Sequence, residues 1–193
     1  MKKYTIKTFV AIGMLSSIAY ILMVLNFPLP PFPSYLKVDF SEIPALIATL
    51  IFGPVAGILV EFIKNVLDYF ITGSETAIPV GHFANFIAGL MFILPTYFIY
   101  KKVKTKKGLA VALAFSSVTM AVTMAFLNYF VLLPSYTFFL NMPAMSGPEI
   151  RKLIIAFIIP FNLLKGVMIT VLFLLLFTKM GNWIEKQHTL NRA

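Results

Sequence analysis

The chain contains no cysteine. That excludes a disulfide framework, thiolate catalysis and cysteine-based zinc sites. Its two histidines, His82 and His188, are too few for a histidine-rich metal centre, and no metal site is expected. Charge is equally scarce. Only 12% of residues are Asp, Glu, Lys or Arg, about half the share in a soluble domain, so most of the surface cannot face water. No polar stretch is long enough to fold alone. There is no Ser-His-Asp arrangement, no metal-ligand spacing and no phosphate-cradling glycine loop. The chain is therefore expected not to be an enzyme, to need no cofactor and to carry no ATPase of its own.

What remains is apolar. The 193 residues are 60% hydrophobic, with a mean hydropathy of +0.91. This composition predicts an all-α integral membrane protein, with residues 1–193 forming one membrane-embedded unit. The net charge is +9. In a chain this apolar, such a balance points to lysines at a cytoplasmic face, not to nucleic acid.

The organising stretch is Leu36 to Asn65. It opens polar with Lys37, Asp39, Ser41 and Glu42, runs apolar, breaks at Gly53-Pro54, and runs apolar again to Glu61, Lys64 and Asn65. Asp39 or Ser41 is placed to cap a helix, and Glu42 in its first turn suits the macrodipole. Ile43 to Phe52 is too short to span upright. Val55 to Ile71 is the next helix. Its Glu61, Lys64 and Asp68 share one face and are expected to form an ion cluster near the water boundary, with ligand contact as the alternative.

Other elements follow from apolar runs and breakers. Thr8 to Leu25 is long enough to span. Its charged start imitates a signal peptide, but no small-residue cleavage site follows, and it is read as a retained first helix. Gly13 and Ser17 form a small-residue pair for close helix approach, either within the bundle or to a partner subunit. Asn26 to Lys37 holds Pro28, Pro30, Pro31 and Pro33, which forbid regular helix. Its Phe32, Tyr35 and Leu36 place it in the lipid interface or over the bundle as a lid. Further spans are read at His82 to Tyr100, Leu109 to Leu133 and Leu153 to Phe177, with loops at Thr72 to Pro79 and Pro134 to Pro148.

Most of the sixteen Lys and Arg residues lie at the start (Lys2, Lys3, Lys7), in Lys101 to Lys107, and in the tail (Lys179, Lys186, Arg192). The positive-inside rule puts these segments in the cytoplasm. Four crossings before the lysine loop and two after it make about six. The expectation is a multi-pass protein of the cell membrane with both termini cytoplasmic. The long loop after helix 1 is then extracellular.

That orientation gathers Asp39, Glu42, Asn85, Asn128, Asn162 and Lys165 in the outer half. Lys165 there costs roughly 2.5–3.5 kcal/mol unless paired or wet. Pro160 predicts a kink and freed carbonyls near Phe157. Amides that donate and accept, beside a lysine and under an aromatic loop, suit a small polar aromatic ligand. Asn128 or Asn162 taken alone fits better as interhelical glue; the shared depth of the whole set favours a site.

The run from Leu36 to Ile47, with Gly53-Pro54-Val55-Ala56-Gly57 and Glu61…Lys64-Asn65, resembles the substrate-binding S components of energy-coupling factor (ECF) vitamin transporters. Gly81 to Phe86 and the Asn162/Lys165 pair resemble the riboflavin-specific branch. The resemblance covers nearly the whole chain. It implies six helices, high-affinity vitamin binding from outside, and capping by the loop after helix 1. It also implies association with a transmembrane T component and two cytoplasmic ATPases. A small-residue face on helix 1 contacts the T component in such proteins, usually of Ala-xxx-Ala type; here Gly13 and Ser17 occupy that neighbourhood. On this basis riboflavin is the expected ligand, with Asp39, Phe40, Glu42, Asn85, Asn128, Asn162 and Lys165 as its site. Another vitamin or small heterocycle is the alternative ligand. A membrane enzyme or a structural membrane subunit is the alternative class.

Overall fold

The computed structural model describes residues 5–74 and 76–190. Lys2, Lys3 and Arg192, used in the charge argument above, lie outside the described residues. The elements in chain order are α1 (Ile6–Val24), β1 (Phe27–Pro28), β2 (Lys37–Val38), α2 (Glu42–Phe52), α3 (Pro54–Thr72), α4 (Val80–Val103), α5 (Lys106–Leu127), α6 (Leu133–Phe139), α7 (Gly147–Leu153) and α8 (Ile159–Leu190). Two π-helical turns, Asn128–Leu132 and Ile154–Ile158, join α5 to α6 and α7 to α8.

The polarity of this bundle is inverted relative to a water-soluble protein. Ile6, Phe70 and Phe138 are more than three-quarters exposed, while Asp39, Glu42, Glu61, Lys64 and Lys165 are all buried. Exposed aromatics also stud α3, α4 and α5 at Phe62, Phe83, Phe98, Phe115 and Phe126. Contiguous apolar surface on this scale needs a non-aqueous neighbour, and the chain is a multi-pass membrane protein. Four helical stretches are long and apolar enough to cross: Ile6–Val24, Val80–Val103, Lys106–Phe139 and Gly147–Gly181. α3 has the length, but it carries Glu61, Lys64 and Asp68.

The short helix α2 is the centre. It packs against α1, α3, α4 and α8, and none of its residues is exposed. A helix too short to span is sheltered here by protein on every side, as backbone at membrane depth requires. Gly53, at φ +103°, turns the chain from α2 into α3, a conformation favouring glycine. Gly57, in the first turns of α3, leaves the space that Thr49 of α2 fills, which sets the close approach of the two helices.

Pro134 and Pro160 behave differently from the sequence expectation. Pro134 was expected to end a helix and open a loop; instead the chain stays helical to Phe139. A proline ring clashes with the carbonyl four residues back and leaves it without its N–H partner. The π turn just before Pro134 widens the backbone there: Leu133 N–H reaches back to Asn128 O. Pro160 follows the second π turn in the same way, so the expected disturbance near Phe157 takes the form of a wide turn. The last rod also starts earlier than Leu153. At Ser146 the N–H and the hydroxyl both donate to Glu149 Oε2, at 2.7 Å each, and this box starts α7 at Gly147. The true connection is only residues 140–146.

Candidate functional site

The proline-rich loop is tied at its base by the β1–β2 ladder, which pairs Phe27 with Val38 and Pro28 with Lys37. Its two ends are thereby held together, and the loop is folded back on the bundle. Phe32 packs edge-on against Phe161 of α8, with ring centroids 5.5 Å apart. Tyr35 and Leu36 border a cavity of about 150 Å³.

That cavity lies between the loop, α4, α5 with its π turn, α6 and α8. Asn85, Asn128, Asn162 and Lys165 all line it. Leu132, Leu133, Tyr136 and Phe161 supply apolar walls. These wall residues were not singled out in the sequence: Tyr136 fell within the expected loop, while Leu132, Leu133 and Phe161 lay in expected spans with nothing to mark them among other apolar residues. Of the remaining expected site residues, Asp39, Phe40 and Glu42 do not line it. Phe40 stacks obliquely on Phe27 at 6.2 Å. Asp39 and Glu42 stand behind Lys165. Phe32 reaches the cavity only through Phe161. A second, larger cavity of about 530 Å³ is an open groove between α6 and α7 lined by Pro134, Thr137, Met142 and Ile150 among others. No charged side chain lines that groove, and the polar cavity is the better-built site.

Hydrogen bonds define what the cavity offers. Asn128 Nδ2 donates to Met124 O and Asn162 Nδ2 to Ile158 O, each at 2.8 Å. Each amide therefore commits an N–H to its own helix and keeps its carbonyl oxygen for the cavity. Asn85 is the reverse: its Oδ1 accepts from Asn65 Nδ2 at 3.4 Å, leaving its N–H groups. Lys165 Nζ donates to Asp39 Oδ2 at 3.0 Å and lies 3.0 Å from Glu42 Oε1. An ammonium has three hydrogens, so at least one remains beyond the two carboxylates. The cavity is thus offered the carbonyl oxygen and second N–H of Asn128 and Asn162, the N–H groups of Asn85 and the Lys165 ammonium.

Behind Lys165 lies a second lysine. Lys64 Nζ is 2.8 Å from Glu61 Oε2, 2.6 Å from Ser41 Oγ and 3.9 Å from Glu42 Oε1. The ion cluster expected on one face of α3 is thus divided. Glu61 and Lys64 turn inward to α2, while Asp68 pairs with His82 Nε2 of α4 at 3.0 Å and accepts from Thr72. The inward pair is fully buried, not at the water boundary. The cap of α2 also differs from expectation. Ser41 occupies the N-cap position without a side-chain cap bond; its N–H donates to Asp39 Oδ1 at 2.9 Å, and its hydroxyl donates to the same oxygen. Glu42 sits in the first turn, but it faces the two buried lysines. Among the described residues no cluster of His, Asp and Glu has the makings of a metal site.

The family described as "ECF transporter, substrate-specific component" matches residues 7–177. This chain belongs to that family. The S component is 54% identical over 184 residues to "Riboflavin transporter FmnP" of Bacillus subtilis, covering 95% of this chain and 97% of that protein. It is 42% identical over 180 residues to "Riboflavin transporter RibU" of Staphylococcus aureus, covering 93% of each. A solved structure of the S component of a bacterial ECF transporter superposes with a TM-score of 0.78 at 42% identity, covering 92% of this chain and 97% of that one. Membership in a family of transporter components makes the S component a transport protein, not an enzyme.

Proposed function

We propose that this S component binds riboflavin in the cavity beneath the proline-rich loop, as the substrate-binding membrane subunit of an ATP-driven ECF importer. The observation that carries this reading is the donor and acceptor set of the cavity, in a chain more than half identical to a riboflavin transporter. The isoalloxazine ring of riboflavin presents an N–H between two carbonyls, and its ribityl chain carries hydroxyls. Asn128 and Asn162 are suited to accept from such groups. Asn85 and Lys165 are suited to donate to the carbonyls. Leu132, Leu133 and Phe161 suit a flat ring. Tyr35, Leu36 and, through Phe161, Phe32 serve as the lid. Asp39 and Glu42 act through Lys165, and Phe40 supports the base of the loop.

The same reading sets the topology. The four long apolar stretches cross the cell membrane, and α2 and α3 enter and leave it as a sheltered pair, which gives six membrane-embedded segments. Both termini and Lys101 to Lys107 face the cytoplasm, and the loop after α1 faces outside. The chain works as one membrane-embedded unit. Its partners are a transmembrane T component and two cytoplasmic ATPases. Gly13 and Ser17 are the contact face for the T component. Among the described residues, and apart from its own turn of α1, no heavy atom lies within 4 Å of where a Gly13 side chain would begin, and Ser17 is exposed, which supports a face left open to a partner.

The test is a titration. Detergent-purified protein, stripped of ligand, is mixed with riboflavin while flavin fluorescence is followed. Saturable quenching at one site per chain supports the reading. A chain that leaves riboflavin fluorescence unchanged sinks it.

A further inference from the structure

Lys64 is a buried cation without a place in the cavity. It is 0% exposed, among the largest fully buried side chains, and does not line the site. An ammonium only donates hydrogen bonds. Ser41 Oγ, 2.6 Å away, must therefore accept from Lys64 and turn its own hydrogen elsewhere. That hydrogen goes to Asp39 Oδ1, which also takes the Ser41 N–H. With Oδ1 so occupied, Asp39 offers Oδ2 to Lys165. Glu42 Oε1 makes a second link, 3.0 Å from Lys165 and 3.9 Å from Lys64. Glu42 thus faces both lysines directly, Asp39 is linked to Lys64 through the Ser41 hydroxyl, and only Lys165 reaches the ligand cavity.

On the far side, Glu61 holds Lys64 at 2.8 Å. Its carboxylate occupies the space that a side chain at Gly89 of α4 would fill. The glycine thereby fixes where Glu61, and through it Lys64, is seated.

We propose that Lys64 is a positioning residue for ligand binding, which acts through Ser41 and Asp39 on one route and Glu42 on the other. By sharing the negative charge of Asp39 and Glu42, it prevents them from drawing the Lys165 ammonium fully out of the cavity. By polarising Ser41, it leaves Asp39 Oδ2 as the anchor that aims a remaining Lys165 N–H at the ligand. This role rests on the riboflavin reading of the cavity.

The experiment is a cycle of riboflavin titrations with thermal melts of the ligand-free protein. The variants are Lys64→Met/Glu61→Gln, which removes one charge of each sign, Lys165→Met, and all three changes together. The double variant is expected to bind riboflavin roughly tenfold more weakly, the loss of a charge-assisted hydrogen bond. In the Lys165→Met background the same two changes are expected to cost nothing further, because the effect passes through Lys165. Wild-type affinity in the double variant overturns the inference, as does an equal loss with and without Lys165. Ser41→Ala breaks the first route without altering charge and is expected to weaken binding in the same Lys165-dependent way, by less than the double variant; unchanged affinity in a folded Ser41→Ala protein overturns the Ser41–Asp39 route. Failure of the wild-type protein to bind riboflavin is a separate result and rejects the cavity reading itself.

Discussion

Lys165 and Asp39 stand 126 positions apart in the chain and 3.0 Å apart in the fold. This contact ties the last helix to the entrance of α2 and holds an ammonium at the wall of the cavity. An ion pair this deep is costly to form and costlier to break: removing one partner leaves an uncompensated buried charge worth about 3–5 kcal/mol.

Lys165→Met is therefore expected to act on both fold and ligand. Riboflavin affinity should fall by roughly ten- to a hundredfold, the value of a charged hydrogen bond of about 1.5–3 kcal/mol. Lys165→Arg keeps the charge but replaces a compact ammonium with a planar fork, and should recover stability more than affinity. Titrations and melts on the two variants together check this. Wild-type affinity in Lys165→Met would show that the lysine only neutralises Asp39 and Glu42.

Asn128 bonds to Met124 O within its own helix. Asn128→Ala removes that bond and the cavity-facing oxygen together. A neutral hydrogen bond is worth about 0.5–1.5 kcal/mol, so affinity should drop up to about tenfold. Asn162→Ala should behave alike. A lowered melting temperature at unchanged affinity would identify both amides as supports of their own helices.

Gly89 and Gly13 make opposite predictions for one substitution. A methyl at Gly89 overlaps the Glu61 carboxylate, whereas a methyl at Gly13 meets nothing within 4 Å. Gly89→Ala should destabilise by about 1–3 kcal/mol, as overpacking does. Gly13→Ala should leave the melt of the isolated protein unchanged. Equal melts for the two would mean that Glu61 swings away without loss.

The outward face of α1 gives a test that separates binding from transport. Gly13→Leu and Ser17→Leu should preserve riboflavin affinity in the isolated S component and abolish uptake by cells that supply the other transporter subunits. Loss of affinity in the isolated protein would place this face inside the bundle.

Topology can be checked without background labelling, since the chain has no cysteine of its own. A single cysteine at Thr105 should react with a membrane-impermeant maleimide only after cells are opened. One at Ser146 should react from outside intact cells. The reversed pattern would invert the orientation drawn from the lysines.

Much of the fold is legible in local sequence because the bilayer makes a simple demand. Apolar runs announce α1, α4, α5 and α8, and Gly53-Pro54 announces the turn between α2 and α3. Pro134 and Pro160 are harder to read. Whether Pro134 breaks a helix or is absorbed by a π turn depends on backbone room, and that room comes from neighbouring helices. Tyr136 was missed as a cavity wall for the same reason.

The sequence by itself determined the membrane class, the α2–α3 hairpin, the family and the polar residues worth suspecting, since hydropathy, turn chemistry and motif are carried by neighbours along the chain. Only the tertiary structure decided their partners. It sent Asp68 to His82, Glu61 and Lys64 to α2, and Lys165 to Asp39 and Glu42. A charge buried in a bundle takes the nearest opposite charge in space, and which one is nearest depends on how α2, α3, α4 and α8 pack.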